Sequence, residues 1–414
     1  MGNLMTCKIN ADTTDGLKLI SDTSGAVDIQ SNGTTKVTID ANGNINTVGQ
    51  VSTTDNGTIV TRPNVKPLII NGDMAVAQRG TSTTGITGGG YHTIDRMKVD
   101  LSDNGTWTHT QDTDVPTGQG FANSWKLDCT TADTSVASGT FHLARYLFEG
   151  QDLQLLKKGT SNAEKVTISF WIKATVTGTY IAELFDTDNS RQISQSYTVS
   201  SSNTWERKVL SFAGDTSGTL NNDNGSSFAI NLWLGAGSDF SGGTLNTSWA
   251  SSTNANRAVG QVNSGSSTSN NVYFTGLQME VGEYDSTTIP AFQHESYSDN
   301  LQRCKRYCQS TFSQGTAIGS ATAVGIIVTC ATGTGIGRTS TGHQFPVSFR
   351  APPTIVIHNQ TGGTTGSGRN GDTGGLIAMS AGLASTDSAH FENSAAMGND
   401  GAQLQFQFSA TSEL

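Results

Sequence analysis

Val272-Tyr273-Phe274-Thr275-Gly276-Leu277-Gln278-Met279-Glu280-Val281-Gly282 is the stretch whose reading decides the fold. Val272 and Phe274 share one face of an extended chain. After Gly276 the apolar positions are Leu277, Met279 and Val281, of opposite parity. Successive side chains of a strand point to opposite faces, so the change of parity requires an inserted residue, most simply a β-bulge at Thr275-Gly276. A spacer with Pro290, Phe292 and Gln293 follows. Asp299-Asn300-Leu301-Gln302-Arg303-Cys304-Lys305-Arg306-Tyr307 then reads as a short helix with Asp299 near its start.

The run Leu277-Gln278-Met279-Glu280-Val281-Gly282, then Phe292-Gln293, then Leu301 to Tyr307, resembles the closing segment of a jelly-roll module of tailed-phage tail-fibre and virion structural proteins. The spacer Asp285-Ser286-Thr287-Thr288-Ile289-Pro290 is longer than that pattern's, and Tyr307-Cys308 stands where it has a tyrosine pair. Upstream, Asn71-Gly72-Asp73-Met74-Ala75-Val76-Ala77-Gln78-Arg79-Gly80 resembles the opening phrase of the same module. Ile94-Asp95-Arg96-Met97 resembles its follow-on, with Met for Trp. Phe345-Pro346-Val347-Ser348-Phe349-Arg350-Ala351-Pro352-Pro353-Thr354 resembles a phrase of C-terminal fibre-tip domains.

Composition agrees with short strands joined by polar turns. Hydrophobic residues make up 34% and charged residues 14% of 414, with 48 glycines. Gly, Ser, Thr and Asn are poor interior helix formers, which excludes a mainly helical chain. A net charge of −10 argues against a nucleic-acid partner. The five cysteines, Cys7, Cys129, Cys304, Cys308 and Cys330, form no disulfide framework and fit synthesis in a reducing host cytoplasm. Cys304 and Cys308, four apart on the expected helix, are read as packing against the sheet. Neither a signal peptide nor a membrane-spanning stretch is visible, so no membrane insertion is expected.

Leu17/Leu19, Val27/Ile29 and Val37/Ile39 recur every ten residues, punctuated by Gly16, Gly25, Gly33 and Gly43. Each unit is a very short half-buried strand plus a turn, too small for a core of its own. Completion by the same segment of sister copies makes this a shaft; a small meander packed on the next domain is the alternative. The phrases from Ser21 to Gly33 and from Ile39 to Ile45 resemble the N-terminal shaft of trimeric phage fibres.

The expected architecture is therefore all-β. A short-strand shaft and virion-anchoring segment spans 1–50, and a linker spans 51–67. A jelly-roll β-sandwich spans 68–296, a short helix and connector 297–309, and a β-rich tip domain 310–414. Within the tip, Val324–Thr329, Gly342–Val347, Thr354–His358, Gly375–Ala381 and Gln403–Ser409 are expected strands, and Thr361 to Gly375 a long surface loop.

Catalytic patterns are sparse. The pairs Asp112/Asp114 and Asp186/Asp188 have the residue type of a glycoside hydrolase but sit among turn residues. Asp186-Thr187-Asp188-Asn189-Ser190 starts like a calcium loop, yet Arg191 and Tyr197 occupy positions an EF-hand gives to Gly and Glu. A structural calcium fits the jelly-roll type, with no ligands assigned; no other cofactor or metal is expected. His294-Glu295 lacks a second histidine, and Gly333-Thr334-Gly335-Ile336-Gly337 lacks the ending of a phosphate loop. No enzyme is expected.

Two tryptophans carry more information. In Val166 to Ile172 the even positions are buried and Trp171 points away. In Phe228 to Leu234 the even positions again face in, and Trp233 points away with Asn231 beside it. An aromatic ring off the core face, flanked by an amide, suits a sugar ring; the same rings also suit a loop plug or a subunit interface. Trp171, Trp233 and Asn231 are thus candidate ligand-binding residues. The resemblance implies a homotrimeric tail fibre docked to a virion tail or baseplate protein and binding a host-surface glycan or another receptor. A capsid-anchored fibre or decoration protein is the alternative, and a polysaccharide-degrading tailspike a third.

Overall fold

The computed structural model describes residues 26–41, 45–47, 51–53, 57–59, 66–330, 339–363, 365–394, 397 and 401–414. The chain divides into two compact units, Met1–Arg62 and Pro63–Leu414. Leu17, Leu19, Cys7, the Arg62-Pro63-Asn64-Val65 connector and the Gly333 run lie outside the described residues.

In the first unit, β1 (Val27–Ser31), β2 (Thr34–Ile39) and β3 (Ile45–Thr47) form an antiparallel sheet, and β4 (Val51–Thr53) pairs with β5 (Gly57–Ile59). Asn32 and Gly33, with φ of 50° and 75°, close the β1–β2 hairpin through a primed turn, whose twist matches that of the strands. Register sets Val27 opposite Ile39, Ile39 opposite Ile45, and Ile29 opposite Val37. On the other face Asp28 accepts from Thr35 and Thr38. One face is thus apolar and the other polar, and Ile29 and Ile45 remain 51% and 69% exposed.

The second unit begins with β6 (Ser82–Ile86), β7 (Lys98–Ser102), β8 (Thr106–Asp112), β9 (Ser124–Thr131), β10 (Phe141–Glu149), β11 (Val166–Ala174) and β12 (Gly178–Asp186). It continues with β13 (Arg191–Val199), β14 (Glu206–Phe212), β15 (Ser226–Ala236), a four-residue helix α1 (Ser238–Ser241), β16 (Ala250–Ser251) and β17 (Asn271–Val281). They make two six-stranded sheets, in the orders β16-β13-β12-β15-β10-β7 and β14-β11-β17-β9-β8-β6. Facing rows such as Tyr146, Phe228, Ile230 and Leu232 from the first, and Ile168, Phe170, Phe274 and Met279 from the second, fill the space between them.

The bulge is where parity demands it. Ser169 pairs with Gln278 but Trp171 with Thr275, so β17 carries one extra residue there. Gly276 takes φ 62°, and a Cβ on it would stand 2.6 Å from the Phe121 ring. The bulge frees the Leu277 N–H to donate to the Gly72 carbonyl at 2.9 Å. This contact joins the opening and closing phrases of the sandwich. A methyl on Gly72 would lie 2.1 Å from the Leu277 carbonyl oxygen, a clash with backbone that no rotamer relieves.

The opening phrase is a structural hub. Asn71, at φ 61°, is held by its own side chain: Nδ2 donates to the carbonyls of Val76 and Asp95, and Oδ1 accepts from the Val76 N–H, all at 2.9 Å. Gln78 donates to Asp95 and to the Cys308 carbonyl. Arg79 and Arg96 grip the two oxygens of Glu413 at 2.7 Å each, and Arg96 stacks 3.6 Å over the Tyr307 ring. Helix α2 (Tyr297–Lys305), N-capped by Ser296, adds Cys304 to a small core with Ile70, Val76, Tyr307, Leu301 and Leu414. Cys304 and Cys308 are both buried, but not on one helix face: the helix stops at Lys305, and Cys308 opens a strand. Cys129, Cys304, Cys308 and Cys330 are free thiols.

The remaining strands are β18 (Cys308–Ser310), β19 (Ile327–Cys330), β20 (Ser340–Gln344), β21 (Thr354–His358), β22 (Ser367–Asn370), β23 (Leu376–Gly382), β24 (Ser388–Asn393) and β25 (Gln403–Thr411). They form a sheet in the order β18-β25-β22-β23-β24-β20, with β19 and β21 also paired to β25. Phe349, Phe391, Phe406 and Phe408 centre its core. The expected long loop from Thr361 to Gly375 is corrected: β22 lies inside it. Gly368 permits this, because a Cβ there would meet the Met379 sulfur at 2.6 Å and the Gln405 carbonyl at 2.9 Å. The expected strand Gly342–Val347 ends at Gln344 instead, since Pro346 has no N–H for a ladder.

Candidate functional site

The strand ladders of the first sheet set Arg145 opposite Asn231, Asn231 opposite Glu183, and Glu183 opposite Ser194. Alternation that sends Ala144, Ile230, Leu232, Ala182 and Leu184 into the sandwich core sends this row, with Asp100, Leu143, Phe185 and Trp233, to the outer face. The chain after β15 folds back over that face through α1 and returns to deliver Phe240 and Arg257. Between this overlay and β7–β10 lies a cleft of about 240 Å³, lined by Asp100, Phe141, Leu143, Arg145, Phe185, Trp233, Phe240 and Arg257.

Glu183 is the anchor of its floor. The side chain is fully buried, and its two oxygens take four donors: Arg257 Nε at 2.8 Å and Nη2 at 2.9 Å, Asn231 Nδ2 at 2.8 Å and Trp233 Nε1 at 3.3 Å. A buried carboxylate without such partners would cost several kcal/mol, on the order of the penalty for an unpaired internal ion. Arg145 donates from Nε to Asn231 Oδ1 at 2.7 Å and from Nη1 to Asp100. The Arg257 guanidinium carbon lies 4.9 Å from the Phe185 ring centre and 5.2 Å from that of Trp233. Both guanidinium planes are therefore held from behind, one by a carboxylate and an amide, the other by a carboxylate and two rings. Phe240 stands 5.6 Å from both Phe141 and Trp233 and closes the aromatic wall.

The three sequence candidates do not form one site. Trp233 and Asn231 belong to the cleft. Trp171 lies on β11, in the other sheet, half-buried and opposite Arg207 and Thr275. Both rings leave the central core as alternation requires, but through opposite faces of the sandwich. Trp233 has no exposed surface; it packs with Leu143, Ile181 and Ala258 beneath Phe240 and Leu245. It plugs the overlay and shapes the cleft's wall. Asp100, Arg145, Phe240, Glu183 and Arg257 escaped sequence reading. Outward parity on β7, β10 and β12 was the available signal for Asp100, Arg145 and Glu183. Phe240 and Arg257 sit in an aperiodic segment that offers none.

Asp186, read as a turn residue, is buried and paired with Lys158. Lys158 Nζ also meets Asp215 at 3.0 Å and the carbonyls of Ser217 and Gly218 at 3.0 and 2.8 Å. An oxygen cage of the kind that suits a cation is here filled by an ammonium. Asp112 and Asp114 do form a turn, with the Asp114 N–H donating to Asp112 Oδ1 at 2.9 Å. Among the described residues no group of three or more His, Cys, Asp or Glu is placed to hold a metal ion, and no helix is long and apolar enough to cross a membrane.

No family model and no curated protein matches the chain. Solved structures similar to it include the enzymatically active domain of tailspike protein 4 of bacteriophage CBA120 (13% identity, 52% of this chain and 21% of that one, TM-score 0.28). A putative sugar-binding protein of Bacteroides thetaiotaomicron is similar at 11% identity over 52% of this chain and 100% of that one, with TM-score 0.28. A family 11 carbohydrate-binding module of Clostridium thermocellum is similar at 12% identity over 52% and 95%, with TM-score 0.22. The chain thus spans about a fifth of the length of the tailspike domain.

Proposed function

We propose that this protein is an adhesive structural component of a phage particle, a tail fibre or similar appendage, that attaches to a host-surface glycan without cutting it. The observation that carries the adhesive part is the outward cleft, where Phe141, Phe240 and Phe185 supply apolar ring faces beside two pinned guanidinium groups. A pyranose ring stacks its C–H face on such a wall while its oxygens take hydrogen bonds from the rim. The cleft is smaller than the roughly 300–1,000 Å³ typical of pockets that enclose drug-sized ligands, so it suits a short stretch of a glycan. The four donors on buried Glu183 leave Asp100 as the one cleft-lining carboxylate, where glycoside hydrolysis uses a pair, which supports binding over hydrolysis. The virion part rests on the fibre phrases in the sequence. A capsid-anchored fibre or decoration protein meets the same requirements.

Gels cast with soluble host-envelope polysaccharide test the reading: migration of the purified chain is expected to be retarded, and Phe240→Ala to remove most of the retardation at unchanged fold. Unretarded migration in every host polysaccharide, or release of oligosaccharide from one, defeats it.

Assembly follows from the first unit. A three-stranded sheet with exposed Ile29 and Ile45 gains by burying that face against sister copies, and three copies turn weak contacts into avidity. Native mass is expected at three times 43.4 kDa for the full chain, and to fall on removal of residues 1–66. An unchanged mass after truncation would place the contacts elsewhere.

A further inference from the structure

We infer that the cleft selects an acidic sugar, one whose ring carries a carboxylate, and seats that carboxylate between Arg145 and Arg257. This rests on the glycan-binding reading and goes beyond it by naming the ligand's charge.

Donors and acceptors in the cleft do not balance. An arginine presents five N–H donors and no acceptor; a carboxylate is acceptor-only; a sugar hydroxyl is both. The acceptors at the cleft floor are engaged, and at its edge only Asp100 Oδ1 accepts no hydrogen bond from a described residue. Glu183 takes four donors, Asn231 Oδ1 takes Arg145 Nε, and Asp100 takes Arg145 Nη1 with Lys98 Nζ at 3.7 Å. The donors are not all engaged. Arg145 Nη2 and Arg257 Nη1 make no hydrogen bond to any described residue, and both side chains line the cleft. A neutral sugar needs acceptors for its hydroxyl protons and finds Asp100 Oδ1 the one side-chain carboxylate oxygen without a hydrogen bond. A carboxylate needs donors, finds two guanidinium edges, and pairs with such planes in a fixed geometry.

Charge points the same way. Asp100 and Glu183 are balanced by Arg145 and Arg257, and Lys98 at the rim adds one positive charge. This local excess sits on a chain of net charge −10, so it is not part of a generally basic surface. Both arginines are pre-positioned, which spares the rotamer entropy that a free side chain loses on binding.

Calorimetric titration with short oligomers of galacturonate, glucuronate and mannuronate, each beside its neutral methyl ester, tests the inference. At least one acid form is expected to bind, its ester on the order of ten-fold or more weaker, as for the loss of a charge-assisted contact. Arg145→Met is expected to weaken the acid form by a similar factor. Asp100→Asn, which removes a like charge and turns an ion pair on Arg145 Nη1 into a neutral contact, is expected to tighten it. Thermal midpoints of both variants confirm folding. Arg257 is left in place because it neutralises Glu183. Equal binding of acid and ester, or weaker acid binding by Asp100→Asn, overturns the inference while the attachment reading stands. Binding of no acid form also overturns it, and the polysaccharide gels then decide the attachment reading on their own. Inorganic phosphate competing as well as the uronates would shift the choice from carboxylate to anion in general and overturn the assignment of sugar class.

Discussion

Glu413→Ala is expected to lower the stability of the second unit by about 3 kcal/mol, the lower end of the range for removing one partner of a buried ion pair. The two oxygens of Glu413 join Arg79 and Arg96 at 2.7 Å, and Arg96 is 1% exposed. Without the carboxylate, Arg96 keeps the Leu147 carbonyl, at 2.6 Å, and the rings of Tyr307 and Tyr146, but no opposite charge at ion-pair distance among the described residues. Asp95 remains with Arg79, so the loss is partial, hence the lower figure. Glu413→Gln retains the shape and one acceptor and is expected to fall between. The measurement is the urea midpoint of each variant. A shift for Glu413→Ala equivalent to under 1 kcal/mol would mean that the hub is a neutral contact.

The second large effect is acid sensitivity from the sandwich core. His142 is fully buried, 4.6 Å from the Trp107 ring, and neither of its ring nitrogens has a hydrogen-bond partner among the described residues. Burial lowers its pKa from 6.5 to about 3. The folded state therefore holds this ring neutral while the unfolded state protonates it below pH 6.5. Between those limits the unfolded chain binds more protons, so stability falls as pH falls. At about 1.4 kcal/mol per pH unit, the full window gives up to ~5 kcal/mol. His109, buried beside Trp125 and His92, is lowered by its own burial and then by His142 and His92, and acts in the same direction. Asp95 opposes them: burial pushes it up to about 6, so its protonation favours the folded state. Its shift is the smaller, and it leaves acid destabilisation as the net result. His142→Leu isolates the contribution. The stability difference between wild type and variant is expected to change by about 1.4 kcal/mol per unit between pH 6 and pH 4, and to become constant above neutrality. A pH-independent difference would show that the ring is not held neutral.

The partners of Glu413 lie in phrases whose sequence signal is a family likeness. Asn71, Gln78, Asp95 and Arg96 carry the phrases that resemble a fibre module, and a polar phrase of that kind invites a reading as a binding motif. In the fold each of them is buried: Asn71 and Gln78 donate to the chain's own carbonyls, Asp95 accepts from Gln78 and Arg79, and Arg96 pairs with Glu413. Their chemistry holds the sandwich to the helix and to the last strand. The tryptophans show a second limit. Alternation correctly sends Trp171 and Trp233 off the core face, because parity is a local property of a strand. It cannot say that β11 and β15 lie in different sheets, nor that Phe240 and Leu245 return over Trp233.

What the sequence by itself determined is the part of the structure written in neighbours: an all-β chain, the parity change that becomes a bulge at Gly276, the Asn32-Gly33 hairpin, the short helix after the last sandwich strand. Each follows from steric and hydrogen-bond preferences that act over a few residues. The cleft was decided only by tertiary structure. Asp100, Arg145, Asn231 and Glu183 come from β7, β10, β15 and β12, and Arg257 from the segment that folds back over them. Their sequence order is not their order in space. The strand ladder sets the first four side by side and the returning segment adds Arg257, and only there do the partners on each guanidinium leave N–H donors for a ligand.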